Sequence, residues 1–178
     1  MNPTLGVLAA LATSVVWAVT SVVFTLATLR AGPMAVNRVR LAMAVAWLLL
    51  AHVLFQVPLP WEADGRRWLL LGASGSVGLV VGDGCLFQAF VWIGPRLAML
   101  LLSTAPALAG LGAWWLLGEA LHPWQLVGIL VTLGGVAWVV LAREGEAAER
   151  RSDRRYLLGI LCGRGGAAGQ AAGLVLAK

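Results

Sequence analysis

Apolar blocks of about twenty residues, separated only by short polar turns, fix the solvent in which this chain folds. About 20 residues at 1.5 Å rise cross a hydrocarbon layer of about 30 Å, so each block reads as a transmembrane helix. Composition agrees: 60% of the 178 residues are hydrophobic, 12% are charged, and the mean hydropathy is +0.87. A soluble domain carries about 25% charged residues. The expected fold class is therefore all-α and integral to the membrane, multi-pass, with the lipid bilayer as its first partner.

The blocks place helices at about 5–29, 35–55, 68–93, 96–117 and 124–142, then a polar linker at 143–155 and a sixth helix at 156–178. Gly94-Pro95-Arg96 is the expected tight turn between the third and fourth helices, and Pro106 interrupts the fourth. Trp61 and Trp68 flank a charged loop as interface anchors. Ser74, Gly78 and Gly82 are spaced by four, as are Ala105, Ala109 and Ala113, and Gly165, Gly169 and Gly173. Such small-residue stripes let helices approach closely.

All but one of the thirteen basic residues are arginine, and nearly all fall between the blocks. The net charge of +5 therefore speaks of topology, and no nucleic-acid partner is expected. Arg30, Arg38, Arg40, Arg96, Arg143, Arg150, Arg151, Arg154 and Arg155 fall on one side, Arg66 and Arg67 on the other. That bias puts the N-terminus outside. Cys85 and Cys162 lie within apolar runs and read as small packing residues. The N-terminus lacks a basic n-region and reads as a retained first helix.

Asp83 stands out chemically. A carboxylate about fifteen residues into a transmembrane helix costs roughly 2.5–3.5 kcal/mol on insertion scales, so it must be paired, protonated or facing water. It could contact a substrate amine or carry a proton, or it could simply hydrogen-bond a Ser, Thr or Gln on a close-packed neighbour. Trp17 offers a flat face and an N–H to an organic solute, or plain packing. Pro106 frees a carbonyl that a cavity could use, or only bends its helix. Three further candidates are weaker. Gln88 suits an interhelix bond, Glu119 orders the following turn or caps the fifth helix, and Arg164 snorkels to the interface or pairs with Asp83. Arg38 and Arg40 read most simply as topology anchors. His52 and His122 have no ligand partners at metal spacing. No metal site, cofactor, nucleotide loop or hydrolytic triad is expected, and the chain does not read as an enzyme.

Leu5-Gly6-Val7-Leu8 recurs as Leu158-Gly159-Ile160-Leu161, as if the sixth helix restarted a five-helix unit. An odd count would invert the second unit in the membrane. Gly82-Asp83, Phe87, Ala89, Ile93-Gly94, Pro106, Leu117-Gly118-Glu119, Gln125, Gly128 and Gly134-Gly135-Val136 resemble the EamA-type repeat of the drug/metabolite transporter superfamily. Trp17-Ala18 resembles its W-G, with Ala in place of Gly, and Arg40-Leu41-Ala42-Met43-Ala44 its arginine-led second helix. Arg164 departs from the pattern, which is usually apolar there.

The resemblance implies half of a ten-helix inverted-repeat carrier in the inner (plasma) membrane. It also implies both termini in the cytoplasm, against the arginine count. The expected function is secondary transport, most simply export, of small organic metabolites, amino acids or drugs by gradient-driven alternating access, with protons as the coupling candidate. The other reading is a truncated, non-transporting membrane protein or helix-packing assembly partner. A single repeat acting alone would need an antiparallel second copy as a homodimer, or else the missing second repeat.

Overall fold

The computed structural model describes residues 3–56, 64–142 and 154–178. Trp61 and the polar linker up to residue 153 lie outside the described residues. Helix α1 is Pro3–Ala31, α2 is Pro33–Phe55 and α3 is Gly65–Gly75. A π-helical segment, Ser76–Gly82, leads straight into α4, Asp83–Leu102. Then come α5, Ala105–Leu117, α6, Pro123–Ala142, and α7, Arg154–Leu176. No strand occurs among the described residues. The all-α integral-membrane fold expected from the apolar blocks is the fold observed.

The turns follow from residue chemistry. Gly32 takes φ 85°, a left-handed value that costs glycine little, and Pro33 opens α2 where a missing N–H is harmless. Gly94, at φ 77° and ψ 165°, breaks the helical path inside α4 ahead of Pro95. Packing against α7 shows that the chain reverses there. Along α7, Gly159, Gly166, Gly169 and Gly173 meet Ile93, Leu86, Gly82 and Gly78 in antiparallel order. Beyond Gly94 the order is parallel, with Leu101 against Gly163 and Gly112 against Val175. The turn at Gly94-Pro95-Arg96 lies where the sequence places it.

The expected fourth helix is interrupted, however, between Leu102 and Ala105. Pro106 sits in the first turn of α5, where its nitrogen cannot donate to the preceding helix. Side-chain hydroxyls take up the slack: Ser103 Oγ donates to Leu100 O and Thr104 Oγ1 to Leu101 O, each at 2.7 Å.

Helix α7 forms the centre of the bundle, with Gly159, Gly163, Gly166, Ala167, Ala171 and Gly173 buried. Its glycines are a steric requirement in places. A Cβ on Gly169 would lie 2.7 Å from Gly82 Cα. Around it, Leu86, Phe87, Phe90 and Leu102 form the core with Phe24 and Met99. By contrast α1, α2 and α6 turn their apolar side chains outward. Thr4–Ala31 has a mean hydropathy of 2.2 over its most apolar window, and none of that window is buried. Such a surface is ruinous in water but natural against lipid tails. Four stretches, Thr4–Ala31, Pro33–Phe55, Gly65–Leu102 and Pro123–Val140, are long and apolar enough to cross a membrane. The α1 hydroxyls spend themselves locally, Thr13 on Ala9 O, Thr20 on Val16 O and Thr25 on Ser21 O.

Candidate functional site

Asp83 opens α4 directly after the π segment and is only 2% exposed. It lies eleven residues before the Gly94 turn, about 16 Å along the helix axis, or about half a hydrocarbon layer. Two side chains from other helices hold it. Arg40 of α2 donates Nη2–H to Asp83 Oδ2 in an ion pair, and Gln170 of α7 donates Nε2–H to Asp83 Oδ1 at 2.8 Å. Arg40 Nη2 also donates to Asn37 Oδ1 at 3.3 Å. The guanidinium stands 5.4 Å from the Phe87 ring centroid, within cation–π range. Phe87 in turn packs on Phe24 at 5.2 Å and on Phe90 at 5.8 Å between centroids.

Charge neutralisation is the physical logic. Neither ion could be left alone at this depth; Arg40 and the Gln170 amide between them satisfy both carboxylate oxygens, while Asn37 Oδ1 accepts from the guanidinium. One group is left over: Arg40 Nε is buried and has no hydrogen-bond partner among the described residues. Beside the pair is a cavity of about 10 Å³, lined by Trp17, Thr20, Ser21, Phe24, Arg40, Asp83, Phe87 and Met99 among others. That is room for about one water. Arg40 also walls an apolar groove of about 540 Å³ between α1 and α2, formed by residues such as Val23, Ala27, Val36 and Met43. Arg40 and Phe24 thus line both the small cavity and the larger groove.

The sequence candidates divide into two groups. Trp17 and Asp83 line the same cavity. Pro106 and Glu119 lie apart from it, in a groove of about 520 Å³ with Gln125 and Lys178. Glu119 accepts from Lys178 Nζ at 2.6 and 2.8 Å, and both side chains are about half exposed. It does not cap α6; Gln125 Oε1 does, accepting from His122 N–H at 2.8 Å. The Gly118 beside it takes φ 67°, a left-handed helix end, which explains why a glycine stands in Leu117-Gly118-Glu119. Gln88 is half-buried on α4 and is not among the residues that hold Asp83. Arg164 is exposed on a groove of about 500 Å³ with Leu101, Leu108, Leu133 and Val140, and it does not meet Asp83.

Three members of the site were not singled out by sequence reasoning. Arg40 reads as a topology anchor, yet it is the partner of Asp83. Asn37 and Gln170 complete the network. The usable signal was the spacing of Asn37 and Arg40, three apart on one helix face, each polar within an apolar block. No group of three or more potential metal ligands occurs among the described residues.

Outward-facing apolar helices packed around a glycine-lined central helix, with a charged pair buried at mid-depth, define a polytopic α-helical membrane protein. Its family follows from the sequence as a whole: the model of the EamA-like transporter family matches residues 4–141, and the chain belongs to that family. No curated protein and no solved structure matches the chain.

Proposed function

We propose that this protein is a gradient-driven secondary carrier of small organic solutes, working as an exporter by alternating access, with the Arg40–Asp83 pair as its solute- or proton-responsive element. The observation that carries this reading is the placement of that pair. It lies at mid-depth, against a cavity walled by Trp17 and three phenylalanines, with Arg40 shared by the groove between α1 and α2. An ion pair at this depth is stable only while closed, so a solute or proton that competes for either partner shifts the balance between two packings. Membership of a transporter family supports the same reading. The inner membrane is the proposed location, and a second inverted repeat or a second copy of this chain is the proposed complement.

One observation favours a second reading, a non-transporting helix assembly. Both Asp83 oxygens are satisfied within the chain, and the cavity holds about one water. Accessibility separates the two. In a background with Cys85→Ala and Cys162→Ala, a cysteine at Thr20 or Ser21 is exposed to a water-soluble thiol reagent from each side of the membrane. A carrier predicts labelling from both sides, slowed by transported solutes. No labelling from either side favours the static assembly.

A further inference from the structure

We propose that Asn37 is the positioning residue of this site: its amide holds the π segment in register and so aims Asp83 at Arg40. The inference rests on the carrier reading for its consequence in transport, but its geometry stands alone.

Backbone hydrogen bonding carries the argument. In an α-helix the N–H of Asp83 would donate four residues back, to Leu79 O. Here it donates to Gly78 O, five residues back, and to Val80 O. Leu79 O and Val80 O are the carbonyls that Asp83 and Gly84 would claim in an α register. Asn37 Nδ2 donates to both of them, at 3.1 and 3.2 Å. The amide therefore supplies Leu79 O with a donor where the Asp83 N–H has bypassed it, and shares Val80 O with that N–H, which favours the π register over a return to α geometry.

Asn37 is 2% exposed, so this is a buried contact without water to replace it. Asn37 Nδ2 also lies beside Gly84, where a Cβ would stand 3.8 Å away in ordinary contact. Its other end is used as well, since Asn37 Oδ1 accepts from Arg40 Nη2. One side chain thus ties the π register to the cation of the ion pair. Isolated π turns inside helices are uncommon and concentrate at functional sites. One residue of register is about 100° of helical rotation, enough to turn Asp83 away from both Arg40 and Gln170.

The test uses the full chain in lipid nanodiscs, isotope-labelled for solid-state NMR. Two signals are read: the Leu79 carbonyl resonance and the dipolar contact between Arg40 Nη and Asp83 Cγ. Asn37→Leu removes the amide, and Asn37→Asp keeps the shape and the acceptor but loses both donors. Ser74→Ala is the control, since Ser74 Oγ donates to Gly173 O at 2.6 Å on the same helix, outside the π segment. Both Asn37 variants should shift the Leu79 resonance and lose the Arg40–Asp83 contact, while Ser74→Ala retains both signals. If Asn37→Leu does not fold, Asn37→Asp decides alone. An Asn37 variant that keeps both signals overturns the proposal. So does a Ser74→Ala variant that loses them equally, because any buried hydrogen bond would then serve. Neither signal depends on solute flux, so a failed carrier reading leaves this result standing, and the reverse.

Discussion

Arg40 and Asp83 lie 43 positions apart in sequence and meet as an ion pair between α2 and α4, with Gln170 of α7 on the second carboxylate oxygen. Three helices therefore depend on a single carboxylate. Removing one partner strands the other charge in a low-dielectric interior, which costs about 3–5 kcal/mol. Arg40→Met is accordingly expected to lower the unfolding free energy in detergent by about that amount. Replacing both, with Arg40→Met and Asp83→Leu, should recover most of the loss. A double variant as unstable as the single one would show that packing, not charge, holds this junction.

The glycines of α7 are unequal. A Cβ on Gly169 meets the Gly82 backbone at 2.7 Å, whereas one on Gly165 meets the Cys85 side chain at 3.7 Å or more, ordinary contact. Gly169→Ala should force the helices apart and cost about 1–3 kcal/mol, the usual range for overpacking. Gly165→Ala should be close to neutral. Thermal denaturation of the two variants side by side checks this, and equal losses would refute the assigned close approach.

Glu119 and Lys178 form a half-exposed pair, and such pairs contribute about 0–1 kcal/mol, reduced by salt. Glu119→Gln should leave the melting temperature within a degree or two at high ionic strength. A large, salt-independent drop would mean that the groove it shares with Pro106 matters more than the ion pair does.

Much of this fold is legible in the sequence because hydrocarbon is an unforgiving solvent. Leu5 to Leu29 could only be a spanning helix, and the structure extends it to Pro3–Ala31. Gly94-Pro95 announces a reversal because a left-handed glycine before a proline cannot continue a helix. Asp83 announces itself by its cost at that depth. Its partner does not, since an arginine seven residues into α2 looks like any other charge near a membrane face until another helix is placed beside it. The π segment was equally hidden. Ser74, Gly78 and Gly82 are spaced as for an α-helix, and what departs from α geometry is where the Asp83 N–H donates. That choice is made by Asn37, on a different helix.

Transport is the central claim, and flux tests it most directly. Proteoliposomes containing the protein are loaded with a panel of amino acids, small organic acids and amines, and efflux is followed under an imposed proton gradient. Wild-type vesicles are expected to release at least one solute faster than protein-free vesicles. Asp83→Asn, which keeps the shape but removes the charge, should cut that release at least tenfold, a loss worth about 1.4 kcal/mol or more. Asp83→Asn vesicles that export at the wild-type rate, or wild-type vesicles that release nothing from the panel, would contradict the account.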